Sequence, residues 1–246
     1  MDKHSKRQVL TEHLRALRNV LLISVISLVI AFIAIFYFAC QPLVDFILAP
    51  LRARSIEVVA THVAEALIMQ LKACLIAAVV AAMPVITWQV WSFVAPGLHP
   101  RERRLFAFLF FIALLLFALG IAFACAYVFP MMIDLFFEAG TGVARSLWSV
   151  DQYLSFTLSF VLPFGLTFEM PILIYMMTRH GWLNYQMLAK NRKYVLLGIV
   201  TIAAILTPPD VVSQVMLSIP MYALYEVSVQ VARFVKPTVK GTLSET

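Results

Sequence analysis

Charge is scarce in this chain. Of its 246 residues 13% are Asp, Glu, Lys or Arg, and no stretch is polar enough or long enough to make a separate soluble domain. Cysteine is scarce too: Cys40, Cys74 and Cys125 lie within or at the edge of apolar runs. Their odd number and positions fit neither a disulfide framework nor a metal site, and packing is the expected role. Catalytic signatures are missing. The sequence holds no H-E-x-x-H pair, no G-x-S-x-G elbow and no G-x-G-D stretch, which argues against an intramembrane protease. It holds no G-x-x-x-x-G-K-[ST] loop, which argues against nucleotide hydrolysis, and nothing calls for a metal or cofactor. A pI near 9.4 would suit nucleic acid, yet no RNA- or DNA-binding module interrupts the apolar runs.

What is present is apolar sequence: 62% hydrophobic residues and a mean hydropathy of +0.91. Apolar windows place membrane spans at residues 19–40, 67–91, 105–129, 152–178, 194–206 and 212–231, which predicts an all-α, six-helix integral membrane protein with residues 1–246 as a single polytopic domain. The first run, about 20 residues, exceeds the apolar core of about 7 to 15 in a signal peptide, and no A-x-A-like site follows it. With both termini cytoplasmic, fifteen Lys and Arg fall on the cytoplasmic side and only Arg52, Arg54 and Arg145 opposite, Lys72 being assigned to a span. Basic residues concentrate in cytoplasmic loops, and that bias fixes the expected orientation.

The fifth run ends at Thr207-Pro208-Pro209 and covers only about 20 Å, against a hydrocarbon core of about 30 Å. Either the bilayer thins or a partner fills the gap, or flanking residues complete the crossing. The extracytoplasmic segments 41–66 and 130–151 mix Leu43, Phe46, Leu48, Phe136 and Phe137 with charges, as interfacial helices forming a cap would. Pro84, Pro163, Pro171 and Pro220 fall inside apolar runs and predict kinks, because each removes a backbone donor and presses on the preceding turn. Curved helices of that kind could enclose a concave face.

Polar residues inside this frame are candidates for function. Glu169 sits between Phe168, Met170 and Pro171, roughly 13 Å deep at 1.5 Å per residue. A charge in hydrocarbon costs about 2.5 to 3.5 kcal/mol on insertion scales, so such a residue faces a bundle interior, a polar cavity or a partner helix. The cytoplasmic loop Pro96-Gly97-Leu98-His99-Pro100-Arg101-Glu102-Arg103-Arg104 sets one carboxylate among three guanidinium groups. Glu102 is either a local partner for those arginines or a bidentate acceptor for an arginine-bearing ligand. Asp210 and Ser213 are both available to cap the sixth span. At the other end of the chain Leu10, Leu14, Leu17 and Leu21 recur at helical spacing with basic residues elsewhere, which predicts an amphipathic stretch on the cytoplasmic leaflet that then turns inward.

Five stretches together resemble the Sec-independent protein translocase subunit TatC, the polytopic receptor family of the twin-arginine export pathway. They are HLRALR at 13–18, PVITWQVWSFVAPGLHPRERR at 84–104, YLSF at 153–156, FGLTFEMP at 164–171 and LTPPDVVSQVMLSIPMYALYE at 206–226. The resemblance covers nearly the whole chain and implies six spans, cytoplasmic termini and a concave, glove-like bundle. It implies that Glu102 recognises the arginine pair of a signal peptide and that Glu169 is the family's intramembrane glutamate. Phe93, Pro96, Leu98 and Arg104 match further positions of the signal-peptide loop, Gln214 matches a second intramembrane polar position, and Pro50, Glu65, Tyr153 and Asp210 match family positions outside that loop, read here as a structural cap.

The family pattern H-L-x-E-L-R departs here, with Ala16 where the family carries a glutamate. Glu12 lies one helical turn earlier on the same face and is the expected substitute. The resemblance further implies twin-arginine signal peptides of folded precursor proteins and single-span TatA- and TatB-type subunits as partners, self-association, export driven by the proton motive force, and a place in the bacterial inner membrane. The rival is a secondary transporter using Glu169 and Glu226 for a proton or cation. Its repeated halves with paired broken helices are not visible.

Overall fold

A computed structural model describes residues 3–54, 56, 58–59, 62, 64–94, 103–140, 148–206 and 211–235. The elements in order are α1 (Lys3–Phe38), α2 (Cys40–Ala53), β1 (Val58–Val59), α3 (Glu65–Val94), α4 (Arg103–Phe123), a π-helical turn (Ala124–Val128), α5 (Phe129–Gly140), β2 (Trp148–Ser149), α6 (Val150–Phe168), α7 (Met170–Arg179), α8 (Tyr185–Lys190), α9 (Arg192–Leu206) and α10 (Val211–Phe234). Among the described residues five helical stretches are long and apolar enough to cross a membrane: 15–38, 65–90, 107–135, 152–179 and 211–234. The sixth expected span is α9, whose 15 residues reach about 22 Å, as short as its sequence predicts. Large apolar side chains such as Ile30, Leu115 and Ile205 are more than half exposed, as on a lipid-facing surface.

Contacts divide the chain into two compact units, residues 1–114 with 147–155 and residues 115–146 with 156–246. In the first, α1 and α2 pack on α3. Ala73, Cys74, Ala78 and Ala82 are buried on α3, and small residues at that spacing let neighbouring backbones approach closely without a hydrophobic driving force between helices. Helix α1 runs unbroken for 36 residues, so the expected turn between an amphipathic stretch and a span does not occur. No proline or glycine interrupts residues 3–38, and the i→i−4 ladder continues.

Both segments expected to hold cap helices do contain a helix, α2 and α5, but α5 is not a separate element. It continues α4 through the π turn, where Phe129 N–H bonds the Ala124 carbonyl. That wider turn directly precedes Pro130, whose ring would otherwise press on the carbonyl four residues back. Two parallel pairs, Val58 with Trp148 and Val59 with Ser149, join the segments on either side of α3 and α5.

The second unit is built around α10, against which α7, α8 and α9 pack. Its core includes Phe160, Phe164, Phe168, Ile199, Leu217, Tyr225 and Val229. Between α7 and α8 the sequence Arg179-His180-Gly181-Trp182-Leu183-Asn184 supplies both a stop and a start. Gly181 takes φ 75°, Trp182 N–H bonds Met177 O at 2.9 Å and Gly181 N–H bonds Thr178 O at 3.0 Å, the paired bonds of a Schellman end. Asn184 then caps α8, its Oδ1 accepting Met187 N–H at 2.7 Å, as N-cap asparagines do.

Two glycines separate a packing role from an open one. A Cβ at Gly120 would come within 2.8 Å of the Phe164 carbonyl oxygen and 2.9 Å of Phe168 Cγ, whereas one at Gly198 would meet nothing within 4 Å. Gly120→Ala should therefore cost about 1–3 kcal/mol through overpacking, and Gly198→Ala should gain up to about 1 kcal/mol of helix propensity. Thermal unfolding of the detergent-solubilised variants checks both signs.

Candidate functional site

Glu169 occupies a break in the fourth span. Sequence predicts one kinked helix over 152–178. The chain instead ends α6 at Phe168, and Glu169 stands as N-cap of α7 with φ −74° and ψ −18°. The cause lies two residues on. Pro171 has no N–H to donate to the carbonyl four residues back, and Glu169 N–H bonds Leu166 O, three residues back, at 3.1 Å. Upstream, Thr167 Oγ1 turns back to donate to Pro163 O at 2.6 Å. The ladder restarts as Leu173 N–H reaches Glu169 O at 3.0 Å.

The side chain of Glu169 is only 6% exposed, and its Oε1 is buried with no hydrogen-bond partner among the described residues. Buried polar atoms are almost always paired, and an unpaired carboxylate oxygen is a costly thing to keep. Gln214 does not supply the missing donor: its Nε2 donates to the Val200 carbonyl at 3.1 Å, tying α10 to α9. No hydrogen bond joins Glu169 and Gln214, although both stand in the second unit.

Glu226 has a different environment. Arg192 Nη2 meets its Oε2 at 2.9 Å, Tyr222 O–H donates to its Oε1 at 2.9 Å, and the neighbouring Tyr225 O–H donates to Leu188 O at 2.8 Å. Both carboxylate oxygens are thus engaged, Oε2 tying α9 to α10 and Oε1 within α10 itself, while Tyr225 fixes α8. That leaves Glu226 poorly suited to carry a transported proton or cation.

Three of the expected cap residues, Pro50, Glu65 and Tyr153, lie in the first unit. Tyr153, 2% exposed, donates its hydroxyl to Ile47 O of α2 at 2.8 Å, one turn before Pro50 inside the same helix. Glu65, 5% exposed, accepts His62 N–H on Oε2 at 3.1 Å, while Ser149 Oγ donates to its Oε1. Lys72, within α3, donates Nζ to Ser155 Oγ at 3.0 Å, which offsets its desolvation. Sequence missed this pair, because nothing local links residues so far apart.

Of the signal-peptide positions, Phe93 lies in the last turn of α3, Arg104 in the first turn of α4, and Glu12 on α1 one turn before Ala16. Pro96, Leu98 and Glu102 fall in 95–102, and Asp210 in 207–210, outside the described residues. Ser213, the alternative cap of α10, is the third residue inside that helix and does not stand at the N-cap.

Residues 12–220 match the family model described as Sec-independent protein translocase protein (TatC). The chain is 40% identical over 233 residues to the Sec-independent protein translocase protein TatC of Carboxydothermus hydrogenoformans, covering 94% of this chain and 96% of that one. It is 36% identical over 230 residues to the TatC of Escherichia coli, covering 92% and 89%. Two solved structures described as the twin arginine translocase receptor TatC are similar. One has a TM-score of 0.82 at 36% identity over 89% of this chain and 97% of the other. The second, in DDM, has 0.84 at 35% identity over 90% and 100%.

The contrast between an orphaned and a paired glutamate gives opposite expectations. Glu169→Leu removes an unsatisfied polar atom and should leave the isolated protein as stable as before or more so. Arg192→Leu strands the partly buried Glu226 carboxylate and should cost about 1 kcal/mol, given its partial exposure. Apparent melting temperatures of the two variants in detergent decide; a large loss from Glu169→Leu would mean that its carboxylate is satisfied within the fold.

Proposed function

The chain belongs to the TatC family of Sec-independent protein translocase proteins, a component of protein transport rather than an enzyme, and from that membership we propose that it is the receptor subunit of a twin-arginine translocase. A folded precursor's signal peptide docks at the cytoplasmic surface, its two guanidinium groups meeting Glu102 and Glu12, with Phe93, Pro96, Leu98 and Arg104 completing the loop. Its apolar segment then lies along the apolar spans. Arginine suits such a site better than lysine, since a planar guanidinium pairs bidentately with a carboxylate while an ammonium is a compact, strongly hydrated point charge.

Glu169 and Gln214 are the intramembrane contacts for the single-span TatA- and TatB-type subunits. The unpaired Glu169 Oε1 supports this for Glu169: a polar side chain from a partner helix would supply the donor that the fold withholds. Pro50, Glu65, Tyr153 and Asp210 keep a structural role on the opposite face. Both termini are cytoplasmic, the membrane is the bacterial inner membrane, copies of the chain self-associate, and the proton motive force drives export. The observation that carries this reading is the similarity, over about nine-tenths of the chain, to two solved structures described as twin arginine translocase receptors.

Binding of a twin-arginine signal peptide and its twin-lysine version to the solubilised protein tests the reading. Preference for arginine in the parent protein, lost in Glu102→Gln, is the expected result. Equal or absent binding of both peptides to folded protein would overturn direct recognition by this subunit. Glu12→Gln should weaken the arginine peptide by roughly tenfold, about 1.4 kcal/mol for one charge-assisted contact; unchanged affinity would remove Glu12 from the site.

A further inference from the structure

The second unit carries a cavity for which the proposed function has no use. It measures about 470 Å³ and is lined by Tyr175 and Arg179 of α7 and by Val231, Phe234 and Val235 around the end of α10, two helices that pack on each other. That volume lies within the range of about 300–1,000 Å³ typical of ligand sites. One side is polar: Arg179 Nη1 donates to the Tyr175 hydroxyl at 3.1 Å, and a phenol that accepts one hydrogen bond can also donate one. The other side is apolar, and Val227, exposed one turn before Val231, extends it along α10 toward the middle of that helix.

Charge decides what such a cavity takes. The carbonyl ends of α7 and α10 would by themselves repel an anion, each with about half a negative charge. Arg179 and Arg233 stand in the last turns of those helices, and a full positive charge at each end reverses the sign. Arg233 is held 5.9 Å from the centroid of the Tyr185 ring. Residues 179–193 and 226–235 also carry Lys190, Arg192 and Lys193 against the single acid Glu226, which Arg192 already pairs. A soluble anion would meet the guanidinium and leave the apolar wall uncovered, whereas a phospholipid supplies a phosphate and hydrocarbon together. We propose that the cavity between α7 and α10 binds one anionic phospholipid, its phosphate on Arg179 and Tyr175 and its acyl chains over Val231 and Val227. With the orientation proposed above, on which this placement rests, the site opens in the cytoplasmic leaflet, where basic pockets between spans meet anionic headgroups.

The full chain, stripped of lipid in detergent, is titrated with phosphatidylglycerol and with phosphatidylcholine of the same acyl chains, and native mass spectrometry counts the lipids held. The expected result is one phosphatidylglycerol bound about tenfold more tightly than phosphatidylcholine, the worth of one charge-assisted contact, and not displaced by glycerol 3-phosphate. Arg179→Gln should abolish that preference. Val231→Trp, which fills the cavity and leaves both arginines in place, should abolish it too and carries the test if Arg179→Gln does not fold. Equal affinity for the two lipids, or a preference that survives in either folded variant, overturns the proposal. Displacement by glycerol 3-phosphate also overturns it, in favour of a site for free phosphate esters. Detergent has no sides, so an error in the proposed orientation would leave the titration unchanged. Twin-arginine peptide binding, measured separately on Arg179→Gln, should match the parent protein, which keeps failure of signal recognition distinct from failure of the lipid site.

Discussion

Hydrocarbon offers no hydrogen-bond partners, so every polar group carried into these spans must be satisfied by the chain itself or by another protein. Most of the described polar residues meet that demand locally. Thr201 donates to Leu197 O at 2.8 Å, Ser218 to Gln214 O at 2.7 Å and Ser228 to Leu224 O at 2.7 Å, each four residues back along its own helix. Such bonds hide a hydroxyl at little cost to the ladder. The longer polar chains must cross between helices, and those crossings hold the fold: Lys72 to Ser155, Tyr153 to Ile47 O, Gln214 to Val200 O and Arg192 to Glu226. Glu169 Oε1 is an exception that the same constraint makes conspicuous, and Thr178 Oγ1, buried on the same span, is another.

The spans were legible because a bilayer-length apolar run is a local property of sequence. So was the shortness of α9, bounded by Arg192 and Lys193 on one side and by Thr207-Pro208-Pro209 on the other. Glu169 was legible by type and position, but its helix break was not distinguished from a kink, since Pro171 predicts a lost hydrogen bond without saying how the chain rearranges. Helix α8 was missed: six residues are too few for periodicity to register, although Gly181 and Asn184 were visible as stop and start signals.

What sequence could not give was pairing at a distance. The partners Glu65 and Ser149 are separated by 84 positions, and Tyr153 and Ile47 by 106. Glu226 illustrates the cost of that blindness. Read alone, a glutamate in the last span is a candidate ion site; with Arg192 34 positions away on one oxygen and Tyr222 on the other, it is a strut.

That strut bears on the shortest span. Helix α9 falls about 8 Å short of a hydrocarbon core of about 30 Å, and a free helix would absorb mismatch by sliding along its axis toward one interface or by recruiting flanking residues. This one has little freedom to slide. Arg192 at its first residue is bonded to Glu226, and Val200, farther along it, accepts from Gln214, so two bonds at different depths fix it to α10. Tilting would shorten its reach further. The adjustment therefore falls on what surrounds it, either a locally thinner bilayer or the flank of another helix, at a cost of fractions of a kcal/mol per Å. A surface that is energetically poor in lipid is one where a single-span partner gains by docking, and Gln214, which holds α9 in place, belongs to that same helix pair.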